Sequence, residues 1–227
     1  MLRVNEIFGP TIQGEGKSLE MPCSFLRLAF CNLHCVWCDT KHSWNWSKFD
    51  KSKEVHEMTD EQIITELEYI RVKAVVISGG EPLLQQRQLI SLCTKLKELN
   101  YWIEIETNAT IYPNEKLISL VNRINCSPKL WNSLDKRNIR IREKTLSKLV
   151  KCKKVNFKFV IDSNKDISEL LELHEKFHFP EVYVMPQCRN KEEFRSKREW
   201  VNNICNAFDF NFSPRLHITR LGGVRGV

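Results

Sequence analysis

A loop with three closely spaced cysteines constrains this chain more than any other feature. Cys31, Cys35 and Cys38 follow the pattern CxxxCxxC, directly after an apolar run at residues 25–30 that predicts a β-strand. Three thiolates in one loop can converge on one side and bind a [4Fe–4S] cluster, which normally takes four cysteines. The next cysteine is Cys93, far along the chain, so one iron would stay open to an outside ligand.

A structural zinc site is the alternative for the same loop. Such a site is closed by four ligands, and His34 could supply the fourth. The motif by itself favours the cluster, and zinc with His34 remains the second interpretation.

Other short motifs accompany the cysteines from one end of the chain to the other. They are FGPTIQGEG at 8–16, FLRL at 25–28, CDT at 38–40, SGGEP at 78–82, SPK at 127–129 and RGV at 225–227. Together with the cysteine loop and the aromatic Trp37 before its last cysteine, these motifs resemble the radical S-adenosylmethionine (SAM) superfamily. The QGEG and CDT elements narrow the resemblance to the 7-carboxy-7-deazaguanine synthase family of the queuosine and 7-deazapurine pathway.

The resemblance implies a lyase that converts 6-carboxy-5,6,7,8-tetrahydropterin to 7-carboxy-7-deazaguanine with loss of ammonia. Its cofactors would be a [4Fe–4S] cluster, SAM and Mg²⁺. Reductive cleavage of SAM would give a 5′-deoxyadenosyl radical, which would remove a hydrogen atom from C6 of the pterin before the ring contracts. Besides this small-molecule substrate, the expected partners are a second copy in a homodimer and an external electron donor such as a flavodoxin.

By the same resemblance, each motif carries part of the site. The cluster would be held by Cys31, Cys35 and Cys38. Mg²⁺ would be held by Thr40, whose hard oxygen suits that ion. SAM would contact Trp37, Cys38, Asp39, Gly80, Glu106, Ser127, Pro128, Lys129 and Gln187. The pterin would contact Ile12, Gln13, Gly14, Glu15, Arg27, Ser78 and Val227.

Some of these roles also have a reason in the side chain itself. The fork of Arg27 suits a substrate carboxylate, although a salt-bridged core arginine is an equal alternative. Lys129 presents a compact charge that can meet a carboxylate. Paired glycines at 79–80 let the backbone approach a ligand closely, and a plain turn would also use them. His217 is expected near the same edge of the sheet in a structural role.

The chain departs from the family pattern at two positions. Phe30 stands where glycine is common before the first cluster cysteine, and Leu221 stands where an aromatic residue is common. Neither position is a cluster ligand, so the departures bear on the shape of the substrate pocket.

Strand-like and helix-like segments alternate along the chain. Strands are predicted at 4–8, 25–30, 74–77, 101–106, 123–126, 155–161, 182–185 and 215–218. Helices are predicted at 60–70, 84–99, 115–121, 167–177 and 192–207. Residues 9–16 are predicted as a loop and 39–58 as an irregular insertion. The alternation predicts an α/β fold with a parallel sheet of βα units, and the resemblance implies an incomplete, TIM-like barrel.

Composition predicts a single domain, 1–227, in the cytoplasm. The length suits one domain with a substantial core, and no apolar run is long enough for a membrane span. The N-terminus has no signal-peptide pattern. The six cysteines outside the loop are scattered, which favours buried thiols over disulfides.

The net charge of +7 is unevenly distributed. Residues 129–158 carry eleven Lys or Arg against two acidic residues, a stretch that could bind nucleic acid or an acidic electron donor. A solvated face is the more common reason for such a stretch, and nucleic-acid binding is not expected. Two other functions stay open: an activase that installs a glycyl radical on a partner, and a metal-stabilised RNA-binding module.

Overall fold

The computed structural model describes residues 1–220 and 222–226, which form one nine-stranded sheet. The strands are β1 (Leu2–Ile12), β2 (Pro22–Leu28), β3 (His56–Met58), β4 (Ala74–Gly79), β5 (Trp102–Thr107), β6 (Arg123–Cys126), β7 (Val155–Ile161), β8 (Val182–Pro186) and β9 (Asn211–Phe212). Their order is β3-β1-β2-β4-β5-β6-β7-β8-β9. β1 pairs antiparallel with β2 and β3, and every later pair is parallel. Among the described residues β3 and β9 do not pair, so the sheet is not closed into a full barrel.

Nine α-helical segments lie in the described part of the chain. They are α1 (Lys51–Glu54), α2 (Asp60–Ile70), α3 (Gln86–Glu98), α4 (Glu115–Leu120), α5 (Arg137–Arg140), α6 (Glu143–Leu149), α7 (Asn164–Phe177), α8 (Lys191–Phe208) and α9 (Leu216–Thr219). The predicted helix at 60–70 is present as α2, and a capping box between Thr59 and Gln62 begins it. The predicted α/β fold of parallel βα units is therefore confirmed. None of the helices described is long and apolar enough to cross a membrane.

Strands β5 and β7 carry apolar side chains on one face and mostly polar side chains on the other. In β5, Ile103 and Ile105 belong to the main apolar core, which also contains residues of α3 and α7. Glu104 and Glu106 alternate with them, so these carboxylates point to the opposite face of the sheet. The same alternation places Lys158 of β7 on the polar face, although every residue of that strand is buried. These two strands consequently contribute charged and polar groups to the inside of the open barrel.

Three sequence-based assignments were wrong in detail. β1 continues through residues 9–12, which were predicted as loop, because a register shift between Phe8 and Thr11 accommodates Gly9 and Pro10 within the pairing to β2. The insertion at 39–58 contains α1 and β3. Residues 215–218 form the turn of α9, closed where the N–H of Arg220 donates to the carbonyl of Leu216 at 2.8 Å. A run of four residues is too short for its pattern to separate a strand from a helix.

Candidate active site

A cavity of about 650 Å³ opens at the C-terminal edge of the parallel strands. Its wall brings together most of the residues predicted for the site, although they come from distant parts of the sequence. Those in the wall are Ile12, Gln13, Gly14, Glu15, Arg27, Cys31, Cys35, Trp37, Cys38, Asp39, Thr40, Ser78, Gly80, Glu106, Ser127 and Lys129. Pro128 and Gln187 are not part of the wall, and Val227 lies outside the described residues, as does Leu221.

The three cysteines of the CxxxCxxC loop all line this cavity. Cys35 is buried, and Cys31 and Cys38 are partly buried. The indole N–H of Trp44 donates to Cys38 Sγ at 3.3 Å, and Asn108 Nδ2 lies 4.0 Å from Cys31 Sγ. These contacts hold the sulfur atoms on the cavity side of the loop.

The donor set fits an iron–sulfur cluster better than a single zinc ion. Within residues 1–220 and 222–226, no three Cys, His, Asp or Glu side chains are gathered tightly enough to hold one metal ion. A cluster spreads its iron atoms, and so its thiolate ligands, over a wider space. His34, the proposed fourth zinc ligand, is exposed and packs on Trp44 with ring centroids 5.0 Å apart. Burial raises the pKa of the Cys31 and Cys35 thiols to about 12, so binding iron must release their protons.

The outer side of the cysteine loop is fixed by the segment before α5. The backbone N–H of His34 donates to the Asp135 carboxylate at 3.1 Å, and that of Val36 donates to the carbonyl of Ser133 at 3.1 Å. The Trp37 indole donates to Asn132 Oδ1 at 3.1 Å. The loop is therefore positioned before any cofactor binds.

The glycine pair at the end of β4 lies directly against this loop. A Cβ atom at Gly80 would lie 2.1 Å from the carbonyl oxygen of Phe30 and 2.9 Å from Cβ of Cys31. Only glycine fits at such an approach, since backbone atoms cannot rotate away. Phe30 itself has φ +77°, in the left-handed region that favours glycine.

The glutamate of SGGEP is a structural residue. The Glu81 side chain is fully buried and accepts from the N–H of Leu83 at 3.0 Å, the N–H of Asn108 at 2.7 Å and the hydroxyl of Thr107 at 2.8 Å. Burial raises the pKa of Glu81 despite these bonds. Its carboxyl group ties the end of β4 to the end of β5, and so fixes two sides of the cavity relative to each other.

A charged network surrounds Glu15 in the cavity wall. Lys158 Nζ lies 2.5 Å from Glu15 Oε2, and Arg215 Nε lies 3.2 Å from Glu15 Oε1. Arg215 also pairs with Asp39 and donates to the carbonyl of Cys188, both at 2.5 Å. Burial alone would raise the pKa of Glu15, but Lys158, Arg215 and a nearby histidine hold it well below its ordinary range. Glu15 is therefore a carboxylate that only accepts hydrogen bonds.

A second network surrounds Arg27, which also lines the cavity. Arg27 Nε donates to Glu6 Oε1 at 2.7 Å, and Arg225 Nε donates to Glu6 Oε2 at 2.8 Å. Arg225 also pairs with Glu54 at 2.7 Å. Burial would raise the pKa of Glu6, but His42 Nε2 at 3.4 Å, the hydrogen bond from Arg225 and the charge of Arg27 lower it to about 2. Arg27 thus lines the cavity and is also salt-bridged, and its role toward a substrate carboxylate stays a prediction.

The sequence-based assignment missed several members of this site. Glu6, Lys158, Arg215 and Arg225 all line the cavity. Lys158 had a visible signal, because a lysine in the middle of the apolar run VNFKFVI needs a partner on one face of the strand. Arg225 belongs to the RGV motif but was not assigned to the site, and Glu6 and Arg215 lie in ordinary polar contexts. Only the folded arrangement brings these three residues to the cavity.

The described geometry matches that of known proteins. The Radical SAM superfamily matches residues 26–198, which is most of the chain, so the fold and the cysteine loop define a radical SAM protein. The 7-carboxy-7-deazaguanine synthase of Pyrobaculum aerophilum is 32% identical, with 99% of this chain and 97% of that protein aligned. The enzyme of the same name from Bacillus cereus is 31% identical, with 99% and 98% aligned. The chain therefore belongs to the 7-carboxy-7-deazaguanine synthase family, and the resemblance indicated by the motifs is confirmed.

Solved structures agree with this membership. The crystal structure of QueE from Escherichia coli has a TM-score of 0.68 at 25% identity, covering 93% of this chain and 92% of that one. SuiB from Streptococcus suis shares the fold alone, with a TM-score of 0.53 at 16% identity over 81% of this chain and 46% of its own. Membership of the superfamily implies a [4Fe–4S] cluster and SAM. The activase and the RNA-binding module are not favoured by these relatives.

Proposed function

We propose that this protein converts 6-carboxy-5,6,7,8-tetrahydropterin to 7-carboxy-7-deazaguanine with release of ammonia, using a [4Fe–4S] cluster, SAM and Mg²⁺. The observation that carries the proposal is the shared cavity. The cysteine loop, the glycine edge of β4 and the Gln13–Glu15 segment all open into one space of about 650 Å³. A space of that size suits two small ligands bound side by side.

Cys31, Cys35 and Cys38 would hold the cluster, and the absence of a fourth cysteine from the loop leaves one iron for SAM. The bound cluster and SAM supply a carbon radical when an electron is delivered. The chain's own contribution is to hold the reactants and to exclude water.

Lys129 is suited to the carboxylate of SAM. Its Nζ donates to Ser127 Oγ at 2.9 Å and lies 5.5 Å from the centroid of the Trp37 ring. These contacts fix a positive charge beside the cluster loop. The backbone of Gly80 would approach the SAM amino group, because no side chain intervenes there. Glu106, at the end of β5, would approach the ribose.

Arg27, Gln13 and Glu15 would bind the pterin. The guanidinium of Arg27 would take the 6-carboxylate, while Gln13 and Glu15 would face the aminopyrimidinone ring, whose edge carries both donors and acceptors. Ser78, whose Oγ donates to Glu106 Oε2 at 3.3 Å, would also contact the pterin. Oriented reactants lower the entropic part of the barrier.

Thr40 would bind Mg²⁺ together with the substrate carboxylate. Its hydroxyl lies 3.5 Å from Cys38 Sγ in the wall of the cavity, where it adds a hard oxygen beside soft sulfur ligands. One protein oxygen is a weak site for Mg²⁺, so we expect the ion to bind together with the pterin.

Two partners belong to the same proposal. An external electron donor such as a flavodoxin would reduce the cluster, and the basic stretch 129–158 suits an acidic protein. A homodimer is expected, and light scattering on the purified protein measures it.

Anaerobic turnover tests the function directly. Protein reconstituted with iron and sulfide is mixed with the tetrahydropterin, SAM, Mg²⁺ and dithionite, and 7-carboxy-7-deazaguanine is detected by mass spectrometry. We expect product from the parent protein and none from Cys35→Ala. Cleavage of SAM to 5′-deoxyadenosine without consumption of the pterin would contradict the proposal and would favour an activase.

A further inference from the structure

Lys158 is a buried cation that joins the two proposed ligand positions. It lies in the middle of β7, and its side chain is only 6% exposed. Its Nζ is 2.5 Å from Glu15 Oε2, on the pterin side, and 3.5 Å from Glu106 Oε1, on the SAM side. A lysine ammonium is rarely buried unless it is paired, so this position is specified by both carboxylates.

The charge of Lys158 is secured by its partners. Burial would lower the pKa of Lys158, but Glu106 and Glu15 raise it above its ordinary value. Glu15 also receives Arg215 at 3.2 Å and lies 3.7 Å from His217 Nδ1. Arg215 is turned partly toward Asp39, with which it forms a second ion pair. Lys158 is therefore the cation that separates Glu15 from Glu106.

Removing this cation would leave Glu15 and Glu106 as two carboxylates with no positive group between them. Like charges at close range in a site of low dielectric repel strongly. Glu15 would turn toward Arg215 and away from the ring position, or would take up a proton and become a donor. In either case, it would no longer present a fixed acceptor to the substrate.

We propose that Lys158 is a positioning residue that fixes the Glu15 carboxylate as the acceptor for the 2-amino group of the pterin. The preference of the site for an aminopyrimidinone over a dioxopyrimidine then depends on Lys158. This inference rests on the proposed function, because it assigns the specificity of the same cavity.

Equilibrium binding tests the proposal without turnover. The probes are pterin-6-carboxylate and lumazine-6-carboxylate, in which a carbonyl oxygen replaces the 2-amino group, and both are followed by their fluorescence with cluster-loaded protein and SAM. A hydrogen bond to a charged acceptor corresponds to roughly 10- to 100-fold in affinity, so the parent protein should prefer the pterin by about that factor. Lys158→Met should lose most of this preference, mainly because it binds pterin-6-carboxylate more weakly. Lys158→Arg, which keeps the charge, should retain part of it.

The matched control is Lys17→Met, two residues from Glu15, which removes a lysine that pairs with Glu181 and is 42% exposed. It should keep the full preference. Equal weakening of both probes in Lys158→Met would mean a purely structural role and would overturn the proposal, as would unchanged binding of both. If Lys158→Met does not fold, the same equal weakening in Lys158→Arg has the same meaning. A parent protein that makes no 7-carboxy-7-deazaguanine would instead refute the proposed function, whatever Lys158 does.

Discussion

The backbone conformation at Phe30 predicts that glycine is more stable than alanine at this position, the opposite of the usual order. Phe30 has φ +77°, where residues with a Cβ atom are strained by about 1–2 kcal/mol. Its carbonyl accepts from the N–H of Glu81 at 2.8 Å and its N–H donates to the carbonyl of Ser43 at 2.7 Å, so the strained conformation is held from both sides. We therefore expect Phe30→Gly to be more stable than Phe30→Ala.

The magnitudes can be worked out from the contacts. Both variants lose a half-buried ring that packs on Trp46 edge to face at 5.5 Å and carries the Arg3 guanidinium 4.5 Å above its centroid. These losses amount to about 2–3 kcal/mol in either variant. In Phe30→Gly the relief of backbone strain adds about 1–2 kcal/mol to the free energy of unfolding. The greater freedom of glycine in the unfolded chain removes about 0.4–1 kcal/mol. The expected order of stability is Phe, then Gly, then Ala, with about 1 kcal/mol between the two variants.

Urea unfolding measures the difference in the free energy of unfolding between the two Phe30 variants. The proteins are reconstituted anaerobically to equal cluster content, and unfolding is followed by tryptophan fluorescence. The matched control is the same pair of substitutions at Glu66, exposed in the middle of α2. There alanine should be more stable than glycine by about 0.8–1.0 kcal/mol, as in any helix interior. Finding Phe30→Ala at least as stable as Phe30→Gly would refute the argument from the left-handed backbone.

Four further outcomes follow from the site. Gly80→Ala should lower stability by about 1–3 kcal/mol and reduce the iron content, because its Cβ would meet the backbone next to the cysteine loop at 2.1 Å; full iron content would contradict this. Cys35→Ala should lose the cluster absorbance while Cys93→Ala, fully buried in the main core, keeps it; a retained cluster in the first would end the assignment. Arg27→Lys should weaken pterin binding by roughly tenfold or more while uncoupled SAM cleavage continues, and equal loss of both would indicate a folding role. Thr40→Val should keep the cluster and SAM cleavage but lose any stimulation by Mg²⁺, which is checked by turnover at varied Mg²⁺; an unchanged Mg²⁺ response would make Thr40 a structural residue.

The fold was largely predictable because the local signals agree with the tertiary structure. The capping box at Thr59 and the apolar face after it give α2 where expected, and the apolar runs of β4 and β7 fall where parallel strands need them. The end of the chain was harder to predict. Residues 215–218 form a helical turn because the N–H of Leu216 donates to the carbonyl of Gly14 at 3.0 Å, a tertiary contact that no local pattern encodes.

The site was predictable where its chemistry lies in contiguous motifs. The cysteine loop and the glycine pair are local, and the structure brings both to one cavity. Lys158 reaches that cavity from strand β7, where its place in an apolar run indicates only that it needs a partner. Arg215 reaches it from the residue before α9, and the structure shows that both pair with Glu15. Gln187 stays a prediction: its neighbours Met185 and Cys188 line the cavity, and Gln187 itself is not part of the wall.

The Gln13–Glu15 segment illustrates how the polar face of the sheet prepares a ligand site. Gln13 Nε2 donates to Glu104 at 3.0 Å and to Glu106 at 3.1 Å, so β5 supports the segment from below. Glu104 is fully buried, and burial raises its pKa. Because a buried carboxyl group without a partner is costly, Glu104 depends on the hydrogen bond from Gln13. Lys158 holds the segment from β7, and α9 holds it through the carbonyl of Gly14. The Gln13–Glu15 segment, whose sequence is typical of a flexible loop, is thus fixed on three sides. Because the ordering occurs during folding, binding a ring there needs little further loss of entropy, and changes deep in β5 should weaken pterin binding without touching the pterin.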